Sequence, residues 1–191
     1  MKDKYGSLVV SGLPCSGKSA LVRRLHEETN WPIHSIGDLF RGKLKKLQES
    51  GEADKSLTIK DWWPTVPDEE QIKVNKDLLE LASKGKIIAD TRYAFYLKGS
   101  ASNPLFVFLT ANLGVRAKRV MISKLEYQGK PLEKIMADLN KREIDEVEMG
   151  LRLFGRDYRF PSDYDLILDS ERLSIEQEAS KVIGYLKMNA A

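Results

Sequence analysis

Residues 12–19 read Gly-Leu-Pro-Cys-Ser-Gly-Lys-Ser, and no other segment restricts the fold of this chain as tightly. They follow Ser7-Leu8-Val9-Val10-Ser11, a short β-branched run predicted as a buried parallel strand. They precede an amphipathic helix with Ala20, Leu21 and Leu25 inward and Arg23, Arg24, Glu27 and Glu28 outward. Strand, glycine-framed turn and helix in that order make a phosphate-binding loop, or P-loop. Gly12 and Gly17 let the backbone fold tightly round an anion, and the amides of residues 14–19 are expected to face a β-phosphate. Lys18 is expected to reach the β- and γ-phosphates of a nucleoside triphosphate, and the Ser19 hydroxyl to ligate Mg²⁺. Leu13, Pro14, Cys15 and Ser16 complete the loop, with Cys15 read as a small filler rather than a redox device.

The remaining pattern alternates strands with helices, which predicts an α/β fold: a five-stranded parallel sheet covered by helices on both faces, in three layers. The first helix stops near Asn30-Trp31-Pro32, a second strand spans Pro32–Ser35, and a helix runs from about Gly37 to Glu49. Residues 50–67 read as polar and irregular, broken by Trp62-Trp63-Pro64, and a helix from Pro67 to Ser83 ends at Gly85. Further strands are expected at Lys86–Asp90, at Leu105–Leu109 after Asn103-Pro104, and at Asp165–Leu168. A last helix has Ser174 as N-cap, with Glu176 and Glu178 in its first turn. Residues 127–159 contain no strand and are dense in charge, and they read as a small mobile helical lid within a single domain of residues 1–191.

Three further groups of residues fall where such a sheet would gather them. Ser35-Ile36-Gly37-Asp38-Leu39-Phe40-Arg41 follows the second strand, and parallel α/β sheets bind ligands at the carboxyl ends of their strands. Arg41 shares a helical face with Asp38 and could reach a phosphate, although helix capping alone also accounts for Ser35 and Asp38. Asp90-Thr91-Arg92 ends the third strand: the carboxylate suits Mg²⁺ held through water and the arginine suits a substrate phosphate, or the two form a structural ion pair. Arg142, Arg152 and Arg156 lie in the lid segment, where closing arginines would stabilise a migrating phosphoryl group, unless the segment is simply a solvated helix. Trp62 and Trp63 read as anchors of a loop against the core rather than as a base-stacking platform, and His26 and His34 have no metal-ligand spacing.

Charge and length narrow the class further. The 191 residues carry a formal net charge of +3 with both signs interspersed, so no nucleic-acid-binding tail is visible. A lone cysteine excludes an intramolecular disulfide, and Met1-Lys2-Asp3-Lys4 opens no apolar signal segment. No apolar run approaches the roughly 20 residues that span a bilayer, so a cytoplasmic protein, monomeric or weakly dimeric, with small-molecule nucleotide partners is expected.

In order along the chain these segments resemble the nucleoside monophosphate kinases, and among them the archaeal-type cytidylate kinases. The residues that carry the resemblance are the P-loop, Ser-Ile-Gly-Asp-Leu-Phe-Arg at 35–41 and Leu-Ala-Ser-Lys-Gly-Lys-Ile-Ile-Ala-Asp-Thr-Arg at 81–92. They continue with Phe-Leu-Thr-Ala-Asn-Leu-Gly-Val-Arg-Ala-Lys-Arg at 108–119 and Tyr-Asp-Leu-Ile-Leu-Asp-Ser at 164–170. The resemblance implies Mg²⁺-dependent transfer of the ATP γ-phosphoryl group to CMP or dCMP, with an acceptor-binding region at 36–84. It implies that Ser35, Asp38 and Arg41 contact the acceptor, that Asp90 and Arg92 sit near cytosine and its monophosphate, and that Arg119 lies beside adenine. Arg142 would reach the phosphates.

The chain also departs from that family's pattern. Ser123 stands one turn after Arg119 where a second arginine is usual, and Met149 stands seven residues after Arg142 where another lid arginine is expected. Arg152 is the candidate to replace the latter. The strand end reads Asp-Thr-Arg rather than the commoner Glu-Gly-Arg or Asp-Gly-Arg, and Thr91 is expected to keep the backbone further from an acceptor base. Two other readings stay open: a P-loop phosphotransferase with a different acceptor, and an ATP-binding regulatory or assembly protein with weak transfer.

Overall fold

The β-branched run before the loop forms β1 (Leu8–Gly12), with its side chains fully enclosed and a parallel neighbour on each side. The computed structural model describes residues 5–97 and 104–188; the Met1–Lys4 segment and Asn103 lie outside the described residues. Five parallel strands are ordered β2 (Ile33–Ser35), β3 (Ile88–Asp90), β1, β4 (Leu105–Thr110) and β5 (Leu166–Asp169). Alternation along the central strands sends side chains to two cores. Val9, Ala89, Phe106 and Phe108 join Phe40 and Leu79 on one face, while Leu8, Val10, Val107 and Leu109 join Leu21, Leu25 and Val182 on the other. The central strands β3, β1 and β4 are buried on both faces, which is why the sequence shows short continuous apolar runs there, while the edge strands β2 and β5 are partly exposed.

Among the described residues seven helices cover it: α1 (Lys18–Thr29), α2 (Ile36–Ser50), α3 (Ile59–Trp62), α4 (Asp68–Ser83), α5 (Leu113–Ser123), α6 (Leu132–Phe154) and α7 (Ile175–Met188). Their ends follow local chemistry. Asn30 closes α1 in the left-handed conformation at φ 56°, donating its N–H to the His26 carbonyl at 2.7 Å. Ser35 caps α2, accepting the Asp38 N–H at 3.3 Å. No helix among the described residues is long and apolar enough to cross a membrane.

The stretch 50–67 is more ordered than its polarity predicts. Thr58 Oγ1 accepts the Asp61 N–H at 3.4 Å and donates to the Asp61 carboxylate at 2.6 Å, starting α3 with a Thr-x-x-Asp capping pair. A 3₁₀ turn over Trp63–Thr65 follows and seats Trp63 edge-on against Phe40, with ring centroids 4.0 Å apart. The tryptophan pair therefore anchors this segment to the core cluster around Phe40.

Glu178 lies in the first turn of α7, as expected. It is fully buried there, and among the described residues neither carboxyl oxygen has a hydrogen-bond partner. Burial pushes its pKa up to about 7, with Arg119 pulling the other way. A folded-state pKa above the unfolded value of 4.5 gives stability that is complete below pH 4.5 and lost as pH rises through 7. Each pH unit in that window costs up to about 1.4 kcal/mol. Glu178→Gln is therefore expected to gain melting temperature relative to the parent between pH 5 and pH 8, by several degrees. Parallel melts across that range check it, and a difference that does not change with pH would refute it.

Candidate functional site

The loop between β1 and α1 is shaped by which way its carbonyls turn. Leu13 N–H donates to the Leu109 carbonyl at 2.9 Å and Ser16 N–H to the Leu13 carbonyl at 3.1 Å. Cys15 at φ 62° and Gly17 at φ 103° are both left-handed, and such reversals point successive N–H groups into a concavity that suits an anion. Three arginines hold alternate carbonyls on the outer side. Arg92 Nη1 donates to Gly12 O, Arg116 Nη1 to Pro14 O at 3.1 Å, and Arg119 Nη1 to Ser16 O at 3.2 Å. Ser170 Oγ also donates to Ser16 O, at 2.7 Å. In a planar trans peptide the C=O and the next N–H point oppositely, so the N–H groups of Cys15 and Gly17 are left on the inner side. Those of Lys18 and Ser19 follow in the first turn of α1, where no helical partner exists. Pro14 has no N–H, so the expected cradle of residues 14–19 begins at Cys15.

Above this loop the sheet topology gathers charge. Asp90 ends β3, beside β1, and ion-pairs with the Lys18 ammonium. Ser35, at the end of β2, donates its hydroxyl to the other Asp90 oxygen at 3.2 Å. Arg92 lies two residues on, mostly enclosed, with its guanidinium over the Tyr158 ring at 5.7 Å. It grips Glu146 of α6 through Nε at 2.9 Å and Nη2 at 3.2 Å. Glu146 also receives Arg142 Nε at 3.0 Å, so one carboxylate neutralises two arginines. Burial holds the Lys18 pKa well below its ordinary value; Arg92, Arg142 and Arg41 push it the same way and Glu146 opposes them. Lys18 on Asp90, and Arg92 and Arg142 together on Glu146, thus gather at the carboxyl ends of β1 and β3.

Other expected residues are placed differently. Asp38 and Arg41 pair with each other at 2.5 Å on the exposed face of α2, where the Arg41 guanidinium folds back over Gly37. Arg119 is committed to the Ser170 hydroxyl at 2.9 Å and to the Ser170 carbonyl, besides Ser16. Ser19 is exposed at the start of α1. Arg152 does not join the crevice: it pairs with Asp68 at the start of α4. Arg156 pairs with Asp163 at 2.7 Å and lies over the rings of Phe95 and Phe160. Neither takes the place left by Met149, whose sulfur instead accepts the Trp63 indole N–H at 3.1 Å. Ser123 back-bonds to the Arg119 carbonyl at 2.8 Å. Thr91 turns inward, donating to Asn75 Oδ1 at 2.9 Å, so α4 and not the crevice accommodates its bulk.

Arg116, Glu143, Glu146 and Tyr158 are the residues that sequence reading passed over. Glu146 had a visible signal, because it lies one helical turn after Arg142 and faces the same way. Arg116 had none: within Gly-Val-Arg-Ala-Lys-Arg it looks like any surface helix arginine, and only the packed structure shows it 4% exposed.

Comparison with known proteins bears on the family and the fold. Residues 11–172 match the model of the cytidylate kinase-like family. The cytidylate kinase of Staphylothermus marinus is 26% identical over 94% of this chain and 96% of its own length. That of Methanococcoides burtonii is 29% identical over 86% of this chain and 87% of its own. Among solved structures, a gluconokinase from Sinorhizobium meliloti aligns with a TM-score of 0.60 at 18% identity, covering all of this chain and 95% of that one. A shikimate kinase from Bacteroides thetaiotaomicron aligns with a TM-score of 0.59 at 15% identity, covering 95% and 98% of the two chains. At those identities the structures speak for the fold alone, that of the P-loop kinases. The family match spans most of the chain: this protein belongs to the cytidylate kinase-like family.

Proposed function

We propose that the protein transfers the γ-phosphoryl group of ATP to a nucleoside monophosphate, with CMP and dCMP as its acceptors. The observation that carries this is the cluster at the carboxyl ends of β1, β2 and β3, where Lys18 and Ser35 meet on Asp90 and Arg92 and Arg142 meet on Glu146. One anion, bound at the loop, would engage Lys18 and leave Arg92 and Arg142 on Glu146; a second anion set end to end with it would engage them as well. The names of the curated relatives, cytidylate kinases over nearly their whole length, supply the choice of acceptor.

In this reading the inward amides of Cys15, Gly17, Lys18 and Ser19 hold the β-phosphate, and Lys18 exchanges Asp90 for the β- and γ-oxygens. Arg119 edges the adenine side, held by Ser170. The acceptor lies over Ser35, Asp38, Arg41 and Asp90, with its phosphate on Arg92. Residues 127–159 act as the lid, and closure brings Arg142 onto the migrating group. A phosphate oxygen of the acceptor attacks the γ-phosphorus while the bond to the β–γ bridging oxygen breaks, releasing ADP. Positioning and charge neutralisation suffice, with no covalent enzyme intermediate. The donor set fits Mg²⁺ in the way that ion is normally bound, by a hydroxyl, a nearby carboxylate and substrate phosphates rather than an all-protein cage. Ser19 and Asp90 would hold it, and when bound it would neutralise phosphate charge.

The test is ADP formation with ATP and a panel of CMP, dCMP, UMP and AMP. CMP and dCMP are expected to raise turnover well above the ATP-only rate, and a panel in which no member does so would refute transfer to nucleotides. Met149 on Trp63 and Arg152 on Asp68 favour a second reading, a nucleotide-binding protein with slow transfer. Tight ATP binding with no acceptor-dependent ADP formation would select it.

A further inference from the structure

We propose that Arg116 is a positioning residue for the phosphate-binding loop, aimed by Glu143 of α6, so that nucleotide affinity depends on where α6 sits. Every nitrogen of its guanidinium is bound to a different element. Nε donates to the Ala111 carbonyl just past β4 at 3.1 Å, Nη1 to Pro14 O at 3.1 Å and Nη2 to Glu143 Oε2 at 2.8 Å. With 4% exposure the group has little solvent to fall back on, and among the described residues Glu143 is the one carboxylate paired with it. Neither the assigned roles of the loop nor the phosphate-facing arginines include this residue, which points away from the crevice at the outer side of the loop.

The geometry gives the strut a specific job. Cys15 is a non-glycine residue at φ 62°, a conformation that persists only where its surroundings over-determine it. The peptide that joins Pro14 to Cys15 is held from its carbonyl side by Arg116, which leaves its N–H free to face an anion. Fixing Pro14 O outward fixes the Cys15 N–H inward, which is the first amide of the anion cradle. Lysine at 116 could supply an ammonium to one or two of these acceptors but not to all three in the flat fork geometry. Glu143 is shared: its other oxygen receives Arg159 Nη1 at 3.0 Å, and Arg159 is also held by Asp157. A shift of α6 therefore reaches the loop through Glu143 and Arg116. Arg92 and Glu146 form a parallel link one turn along the same helix.

The inference rests on the loop being the nucleotide site, and not on the identity of the acceptor. It is tested on the full chain by calorimetric titration with ATP and with ADP, both with Mg²⁺, alongside steady-state kinetics at saturating CMP. Glu143→Gln is expected to weaken ATP and ADP by about tenfold, the size of one charge-assisted hydrogen bond, and to raise KM for ATP while kcat stays within about threefold. Arg116→Met is expected to weaken binding further, and Arg116→Lys to recover part of that loss. Asp157→Asn, which leaves Arg116 and Glu143 paired, is expected to bind like the parent. If Arg116→Met does not fold, the Glu143→Gln and Arg116→Lys pair decides. Parental affinity in both, with only a lower melting temperature, would overturn the strut and leave the nucleotide site standing. Failure of the parent to bind either nucleotide would overturn both.

Discussion

Arg92→Met is expected to lower acceptor-dependent kcat by about 10³-fold or more, equivalent to roughly 4 kcal/mol of transition-state stabilisation. Methionine fills nearly the same volume, so the expected loss comes from the fork of donors and not from a cavity. That fork holds Gly12 O on one side and both oxygens of Glu146 on the other. In the transfer reading it exchanges Glu146 for the acceptor's phosphate, a group of similar charge and spacing. ATP affinity is expected to fall far less than kcat, because Arg116 and Arg119 still hold the loop at Pro14 and Ser16. Glu146 keeps Arg142, so a modest drop in melting temperature is expected and not loss of the fold. Arg92→Lys is expected to recover little, since one ammonium cannot reach a carbonyl and a bidentate carboxylate together. Initial rates with ATP and CMP, nucleotide titrations and melts on the same preparations check these points. A folded Arg92→Met variant within about tenfold of parental kcat would refute the role, since removal of a group of this kind costs more than that.

What could be read ahead of the structure was local. The order strand, loop, helix at residues 7–29 fixed β1 and α1 because glycine geometry and apolar periodicity act over a few residues. Ser35 as a cap and Asp90 at a strand end were legible for the same reason. The partners of those residues were not. Ser35 meets Asp90 across 55 positions and Arg92 meets Glu146 across 54, and such pairings depend on sheet order and helix placement. Arg152 shows the converse error. Its spacing from Met149 made it a plausible substitute, but the face it occupies on α6 looks toward Asp68 on α4. The placement of Glu178 in the first turn of α7 was legible, but its burial was not, because nothing in the sequence reports that this turn is packed inward.

Gly12→Ala carries the largest expected effect on stability. Gly12 pairs with Leu109 in the central β1–β4 register, and a Cβ at this position would stand 2.6 Å from the Leu109 carbonyl oxygen and 2.9 Å from its Cβ. Both strands are fully buried, and Leu13 N–H is bonded to that same Leu109 carbonyl at 2.9 Å, so relief requires moving backbone in the middle of the sheet. Overpacking of this kind costs about 3 kcal/mol or more, which for a chain of this size lowers the melting temperature by about 6–12 °C. The same displacement strains the Leu13 N–H bond to Leu109 that ties the start of the loop to β4, so ATP affinity is expected to fall with stability. Gly42→Ala is the contrasting case. A Cβ there meets nothing within 4 Å, in the middle of α2, and is expected to raise stability by about 0.5–1 kcal/mol through helix propensity. Melting curves and ATP titrations of the two variants side by side separate a generic glycine effect from the clash. A Gly12→Ala protein that melts like the parent would mean that β1 and β4 can part at the mouth of the loop, and would contradict the close approach on which the position of the phosphate cradle depends.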